Sequence, residues 1–302
     1  MELRQLEYLV AVVDEGGFTK AAAKMHVAQP GVSAQIKQLE RELGERLLDR
    51  SGRTVRLTEV GRAVLPYARA ALGAVAGARA AVDEFTGLLR GRVVMGGVTI
   101  PARLDLAEML ADFHERHPAV ELSMTEMDPA TLLDSLLAGR VDVGLTGLGA
   151  PLPPNVAAEV VLDHPLVVAV RPGHKLDGRS SITLAELDDL PLITLPRGTG
   201  LRTVLDGAFA EAGIRPQIAF EASEPYFLAE LAAHGLGVTI LPLPKARLHG
   251  DRLHVIELTR PSLRGQLGLI WRTDGSTSPA ARALVAHARR HLAQRTRTEA
   301  AE

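Results

Sequence analysis

Gln29, Ser33, Gln35 and Lys37 are the first residues of this 302-residue chain whose types and spacing suggest chemistry. Two amides, a hydroxyl and an ammonium within a short segment form a row of donors and acceptors suited to base edges and phosphates. Gln pairs two-fold with adenine, and Lys offers a cation. Pro30, beside Gln29, is expected with Gln29 and Ser33 at the base edges. Downstream, Arg50, Arg53 and Arg56 flank a Ser51-Gly52 turn. Guanidinium groups at a hairpin tip suit phosphates or a narrow minor groove. A second set lies far from the first: Thr99 and Ile100, Asp128, Thr146 and Gly147, Gly198 and Thr199, Arg202, and Glu224. All sit at or just past the ends of apolar runs. Hydroxyls, glycine backbone and one cation at helix starts suit a small polar molecule, in the first instance a small carboxylate. Asp128 opposes that charge, and Arg202 also has a helix neighbour in Asp206, at the spacing of a surface ion pair.

No residues suggest catalysis. The chain lacks a Gly-Lys-Ser/Thr phosphate loop, a Gly-x-Ser-x-Gly elbow and a His-Glu pair on one helix face. Gly96-Gly97 follows a strand without the dinucleotide-binding spacing. With no cysteine, disulfides, thiol switches and cysteine-based metal sites are excluded. The expectation is no catalytic residue, no metal and no cofactor.

The elements that must position these groups are legible. Leu3, Leu6, Leu9, Val10 and Val13 recur at helical spacing. Phe18, Ala21, Ala22 and Met25 share the face of a short helix, and Ala21, Ala22 and Ala23 allow close crossing. A helix from Gln29 to Leu43 has Pro30 in its first turn, Val32, Ile36, Leu39 and Leu43 inward, and Gly44 as its stop. Two short helices followed by an arginine-flanked hairpin read as a winged helix-turn-helix, with Gln29–Leu43 as recognition helix. The plainer reading is a small helical packing unit beside a basic hairpin. From Thr58 to about Leu89, Val60, Val64, Ala68, Ala71, Val75, Ala78, Val82 and Phe85 alternate three and four apart, predicting a helix of about 45 Å. Its small side chains suit pairing with a second copy. Gly87 to Gly91 reads as a hinge.

Beyond the hinge the rhythm becomes strand, helix, strand. Strands are expected at 93–98, 120–125, 141–146, 160–162, 166–170, 192–195, 218–221, 238–241, 253–258 and 267–271. Helices are expected at 101–117, 129–139, 201–213, 225–234 and 279–294, with a frayed tail from Thr296. Thr183-Leu184-Ala185-Glu186 is a capping box. The pattern predicts parallel sheets in two lobes joined by crossings near 162–165 and 264–267, the plan of a periplasmic binding protein. Asp142 is expected to fix local structure, and Trp271 to pack within a lobe.

The N-terminal motifs resemble those of LysR-type transcriptional regulators. The match runs through Leu3-Arg4-Gln5-Leu6-Glu7-Tyr8-Leu9, Gly16-Gly17-Phe18-Thr19-Lys20-Ala21-Ala22, Ala28-Gln29-Pro30-Gly31-Val32-Ser33-Ala34-Gln35-Ile36-Lys37-Gln38-Leu39-Glu40 and Leu57-Thr58-Glu59-Val60-Gly61. It continues in Gly139–Leu145 and Leu231–Pro242. Ala28 replaces a common Ser or Thr, and Ala34 a frequent Arg; both remove polar contacts near the DNA, which bears on operator preference and not on DNA binding itself. The resemblance implies that Phe18, Thr19, Gln29, Pro30, Ser33, Gln35, Lys37, Arg50 and Arg53 serve DNA binding. It also implies that positions matching Thr99, Asp128, Thr146 and Thr199 line an effector site, and that the linker helix dimerises.

The expected architecture is an α/β two-lobe periplasmic-binding-protein-like effector domain, preceded by an all-α winged helix-turn-helix domain and a long linker helix. Residues 1–58 form the DNA-binding domain, 59–89 the linker and 90–302 the effector domain. Lobe I takes 90–162 and 267–295, and lobe II 163–266. Net charge is −2, so the basic excess is local, carried by residues such as Lys20, Lys24, Lys37 and Arg46. No signal-like start and no apolar run of about 18 residues is seen. The partners expected are double-stranded promoter DNA, a small-molecule effector, further copies of the chain as homodimer or homotetramer (dimer of dimers), and RNA polymerase. No membrane is expected; the location is cytoplasmic, at the nucleoid. The competing reading is a cytosolic solute-binding module without gene control.

Overall fold

The computed structural model describes residues 1–50, 55–85, 89–98, 106–273 and 277–299. Three helices open the chain, α1 (Leu3–Asp14), α2 (Phe18–Lys24) and α3 (Gln29–Leu43). A small antiparallel hairpin follows, β1 (Leu48–Asp49) and β2 (Arg56–Leu57), and then the long helix α4 (Glu59–Phe85). α3 has Pro30 in its first turn and stops at Gly44, whose φ of +79° is left-handed. Its N-cap Ala28 makes no side-chain cap bond. Val32, Ile36 and Leu39 are buried with Ala21, Ala22, Leu6, Leu9, Val12 and Leu48 in one core.

Three details of the expected packing differ. Leu43 is exposed, because it is the last helical residue before Gly44 reverses the chain. Leu3 is exposed at the start of α1, whose buried face is Leu6, Tyr8, Leu9, Ala11 and Val12. Ala23 is also exposed, so only Ala21 and Ala22 serve the crossing.

α4 has 27 residues, about 40 Å. Its stripe is not one seam. Ala68 joins the N-terminal core, with Ala71 and Leu72 packed against it, and Leu65 is also buried. Val60 and Val82 are exposed.

The remaining strands form one ten-stranded sheet, ordered β4-β3-β5-β12-β6-β10-β8-β9, with β11 on β6 and β7 on β11. The strands are β3 (Gly91–Gly97), β4 (Val120–Glu126), β5 (Val143–Leu148), β6 (Val156–Val170), β7 (Ser181–Thr183), β8 (Pro191–Thr194), β9 (Gln217–Glu221), β10 (Val238–Pro242), β11 (His254–Thr259) and β12 (Arg264–Arg272). The helices are α5 (Leu106–Arg116), α6 (Pro129–Leu137), α7 (Gly200–Glu211), α8 (Pro225–Ala233), α9 (Leu243–Arg247) and α10 (Pro279–Glu299). Each lobe has a parallel centre, β4-β3-β5 or β10-β8-β9. The crossing strands add antiparallel pairs, so the sheet is mixed rather than purely parallel.

The two short strands expected around Pro165 are one strand, β6, spanning both lobes. Its first part pairs with β12, and its last residues lie between β10 and β11. Pro165 sits where the pairing changes partner, so its missing N–H interrupts no continuous ladder. The expected crossings are thus β6 and β12. α10 runs to Glu299, past the expected end, and packs Ala281, Leu284 and Ala288 into lobe I with Val93, Met95 and Phe113. Trp271 packs against that same core. Asp142 holds β3 to its neighbour, accepting from the Val94 amide at 2.8 Å while the Asp142 amide donates to the Val94 carbonyl at 2.8 Å.

Candidate functional site

On α3 the buried stripe sets which side chains face outward. Gln29, Ser33 and Lys37 follow at four-residue steps along one flank; Gln29 and Lys37 are exposed and Ser33 half-buried. Pro30 is exposed beside them. Gln35 is half-buried on the opposite flank, so it does not belong to their row. Thr19 is exposed in the first turn of α2.

Phe18 and Arg50 are engaged with each other. The Arg50 guanidinium lies 4.9 Å from the Phe18 ring centre and pairs with Glu40 at 3.0 Å. Glu40 also accepts from the Leu47 and Leu48 amides at 2.9 and 3.1 Å. One carboxylate on the recognition helix therefore fixes the base of the hairpin and holds Arg50 at its side. Arg53 and the Ser51-Gly52 turn lie outside the described residues.

Between the lobes lies a cleft of about 830 Å³. Val98, Asp128, Gly147, Gly198, Thr199 and Glu224 line it from the strand ends, as the alternating pattern leads one to expect. Thr99 and Ile100 lie outside the described residues. Thr146 is buried in β5, one residue back from the cleft wall. Arg202 points away from the cleft. It is buried, bonds Asp206 at 2.7 Å and the Leu195 carbonyl at 3.1 Å, and pairs with Glu221 at 2.5 Å. It ties α7 to the end of β8 and to β9, and it is not among the residues lining the cleft.

Of the helix starts at the cleft, those of α6 and α8 carry acidic caps. The Asp128 carboxylate accepts from the Thr131 amide at 3.0 Å, and the Glu224 carboxylate from the Phe227 amide at 2.8 Å. Contacts with Thr131 hold the Asp128 carboxyl below the usual range. α7 differs: the Thr199 hydroxyl turns back to the Pro196 carbonyl at 2.9 Å and leaves the helix without a side-chain cap. Near that start stands Arg197, and Lys245 on α9 of the same lobe also lines the cleft; among the described residues neither has an ion pair. His164 and Gln266 come from the crossing strands β6 and β12.

The lobes meet backbone to backbone. A Cβ on Gly200 would fall 2.3 Å from the Gly147 carbonyl carbon, and one on Gly149 would fall 2.2 Å from the Gly200 oxygen. These glycines bring β5 of one lobe against the start of α7 of the other.

Residues 3–62 match the model of the bacterial regulatory helix-turn-helix protein, lysR family, and residues 86–293 match the LysR substrate binding domain. The chain belongs to the LysR family. It is a LysR-type transcriptional regulator with an N-terminal DNA-binding helix-turn-helix and a C-terminal effector-binding domain. The Escherichia coli HTH-type transcriptional regulator YnfL is 32% identical over 285 residues, which cover 93% of this chain and 96% of that protein. A full-length OxyR variant from Pseudomonas aeruginosa superposes with a TM-score of 0.76 at 27% identity, over 95% of this chain and 93% of that one. Full-length CbnR in complex with its target DNA gives 0.60 at 27% identity, over 96% and 99%. No helix among the described residues is long and apolar enough to cross a membrane.

In this LysR-family chain, sequence reasoning missed Lys245, His164 and Gln266. Lys245 lies on the short helix α9, too brief to show a period. The other two lie on crossing strands, whose alternation marks a strand but not the cavity it borders. Arg197, beside Thr199, was visible but not singled out.

Proposed function

We propose that this regulator reads promoter DNA through Gln29, Pro30 and Ser33, with Lys37, Thr19 and the hairpin residue Arg53 on phosphates, and that a small carboxylate in the cleft alters those promoter contacts. The observation that carries the DNA reading is the outward row Gln29–Ser33–Lys37 on a helix that buries Val32, Ile36 and Leu39 beside it. Gln35 flanks the row from the other side. Phe18 and Arg50 support the reading less directly, by holding the hairpin against the helices.

The carboxylate reading draws on the uncapped start of α7 and on Arg197 and Lys245. Asp128 and Glu224 are acidic and oppose it, an opposition offset in part by the helix amides that each accepts from. Thr199, Gly198 and Gly147 supply the wall on that side; Thr99, Ile100 and Thr146 remain part of the proposed site by position.

The working units of this reading are residues 1–58 for DNA, 59–89 as linker and 90–302 for effector. The active species is a homodimer or a dimer of dimers. In support, Val60, Tyr67 and Ala74 recur at seven-residue steps on α4 and are all exposed, which suits a second copy of that helix. Two copies would present two recognition helices to a two-fold-related site. RNA polymerase is the further partner, and the nucleoid the place of action. Enzymatic turnover forms no part of this reading.

The test is a nuclease footprint on the DNA flanking the protein's own gene, repeated with a panel of small dicarboxylates and hydroxy acids. A protected site whose boundaries change with one acid supports the reading. Binding of an acid to the isolated protein with an unaltered footprint would favour a solute-binding module instead.

A further inference from the structure

α6 connects the cleft to the DNA-binding unit. Its first turn, Pro129 and Ala130 with the cap Asp128, lines the cleft. Its C-terminal end lies against α4. There the Arg69 guanidinium donates to the Ala138 carbonyl at 2.9 Å and also pairs with Asp14, the last residue of α1. Arg69 is only 9% exposed, so one buried cation joins three elements: the linker, the first helix of the DNA-binding unit, and the end of a cleft helix. The carbonyl end of a helix carries partial negative charge, which favours a cation there.

The body of α6 is suited to move as a unit. Leu132 and Leu136 are fully buried, and Leu132 lies directly on glycine: a Cβ on Gly96 would come within 2.5 Å of it. Side chains packed this closely do not deform gradually, so a push at one end of a short helix reappears at the other.

We propose that Arg69 is the latch through which occupancy of the cleft reaches the DNA-binding helices. A ligand pressing on Asp128 to Ala130 shifts α6 along its axis, moves the Ala138 carbonyl relative to Arg69, and thereby changes how α1 and α4 are held. This deepens the effector reading above and rests on it. Arg69 touches neither DNA nor effector; it is a positioning residue.

The absence of cysteine allows a test without a known effector. Ala130→Cys places the sole thiol at the cleft end of α6, and a bulky maleimide on it serves as the occupant. The readout is the affinity of full-length protein for the DNA flanking its gene, before and after labelling, in three backgrounds: Arg69 intact, Arg69→Ala, and Asp14→Asn. Asp14→Asn leaves the Ala138 bond in place and guards against a folding defect in Arg69→Ala; circular dichroism checks both. With Arg69 intact, labelling is expected to change affinity by about fivefold or more, the lower range of allosteric couplings. In both variants the change should shrink to within about twofold, while unlabelled affinity stays near that of the parent. A labelling effect that survives in both variants overturns the latch and leaves the effector reading standing. No labelling effect in any background also overturns it. Loss of specific DNA binding by the unlabelled parent contradicts the regulator reading itself.

Discussion

Glu40 illustrates how much one side chain can organise. It accepts from two backbone amides at the start of the hairpin and pairs with Arg50. Its side chain is largely buried, so removing it leaves those donors unsatisfied. Glu40→Ala should cost about 2 kcal/mol, seen as a lowered unfolding midpoint in urea, and should weaken DNA binding through a loosened hairpin. Arg50→Ala should have the smaller effect on stability, because the amide bonds to Glu40 remain. The row Gln29–Ser33 was legible because period 3.6 fixes which side of a helix is buried. Gln35 was grouped with it wrongly, since six residues carry it past the stripe to the other flank. Arg202 was equally ambiguous: a cation three residues after Thr199 fits a ligand or a clamp. The contacts with the Leu195 carbonyl and with Glu221 on the neighbouring strand favour the clamp.

Among the elements, the capping box before the short 3-10 turn at Leu184–Leu187 makes an acid-sensitive joint in lobe II. Glu186 accepts from the Thr183 amide and hydroxyl, both at 2.8 Å, and pairs with Arg179. These contacts lower its pKa from 4.5 to about 2. A carboxyl lowered on folding adds stability above its unfolded value, and that stability is lost as pH falls towards the folded value. Between pH 4.5 and about 2 the parent should therefore lose stability that Glu186→Gln does not lose, which thermal unfolding across that interval will show. The box was visible in sequence because its two partners are three residues apart. β6 was not read whole, because Pro165 looks like a strand end until both of its neighbours are known. The glycine contact between β5 and α7 was hidden for the same reason. Gly200→Ala should force the lobes apart there, costing about 1–3 kcal/mol in thermal stability. It should also enlarge the radius of gyration in solution scattering.

For the molecule as a whole, the order of the longer elements was readable, because apolar periods switch cleanly between helix and strand, while the short β7 and α9 were not. The lobe plan followed from that order, while the mixed sheet and the residues of the cleft depend on crossings that join distant parts of the chain. The exposed seven-residue row on α4 carries the oligomer reading. Replacing Val60 and Tyr67 together with Glu should lower the mass measured by sedimentation to that of one chain, and specific DNA affinity should fall with it, since paired half-sites are then bound singly. Retention of the oligomer would place the self-association elsewhere. Sequence-specific DNA binding by α3 is the property on which everything else depends. The measurement is a gel-shift titration on DNA flanking the gene, against scrambled DNA, at two salt concentrations, with the parent and with Gln29→Ala/Ser33→Ala. The expectation is a specific complex that survives the higher salt and is lost in the double variant. Equal, salt-labile binding of the parent to both DNAs, or a double variant that binds as the parent does, would contradict it.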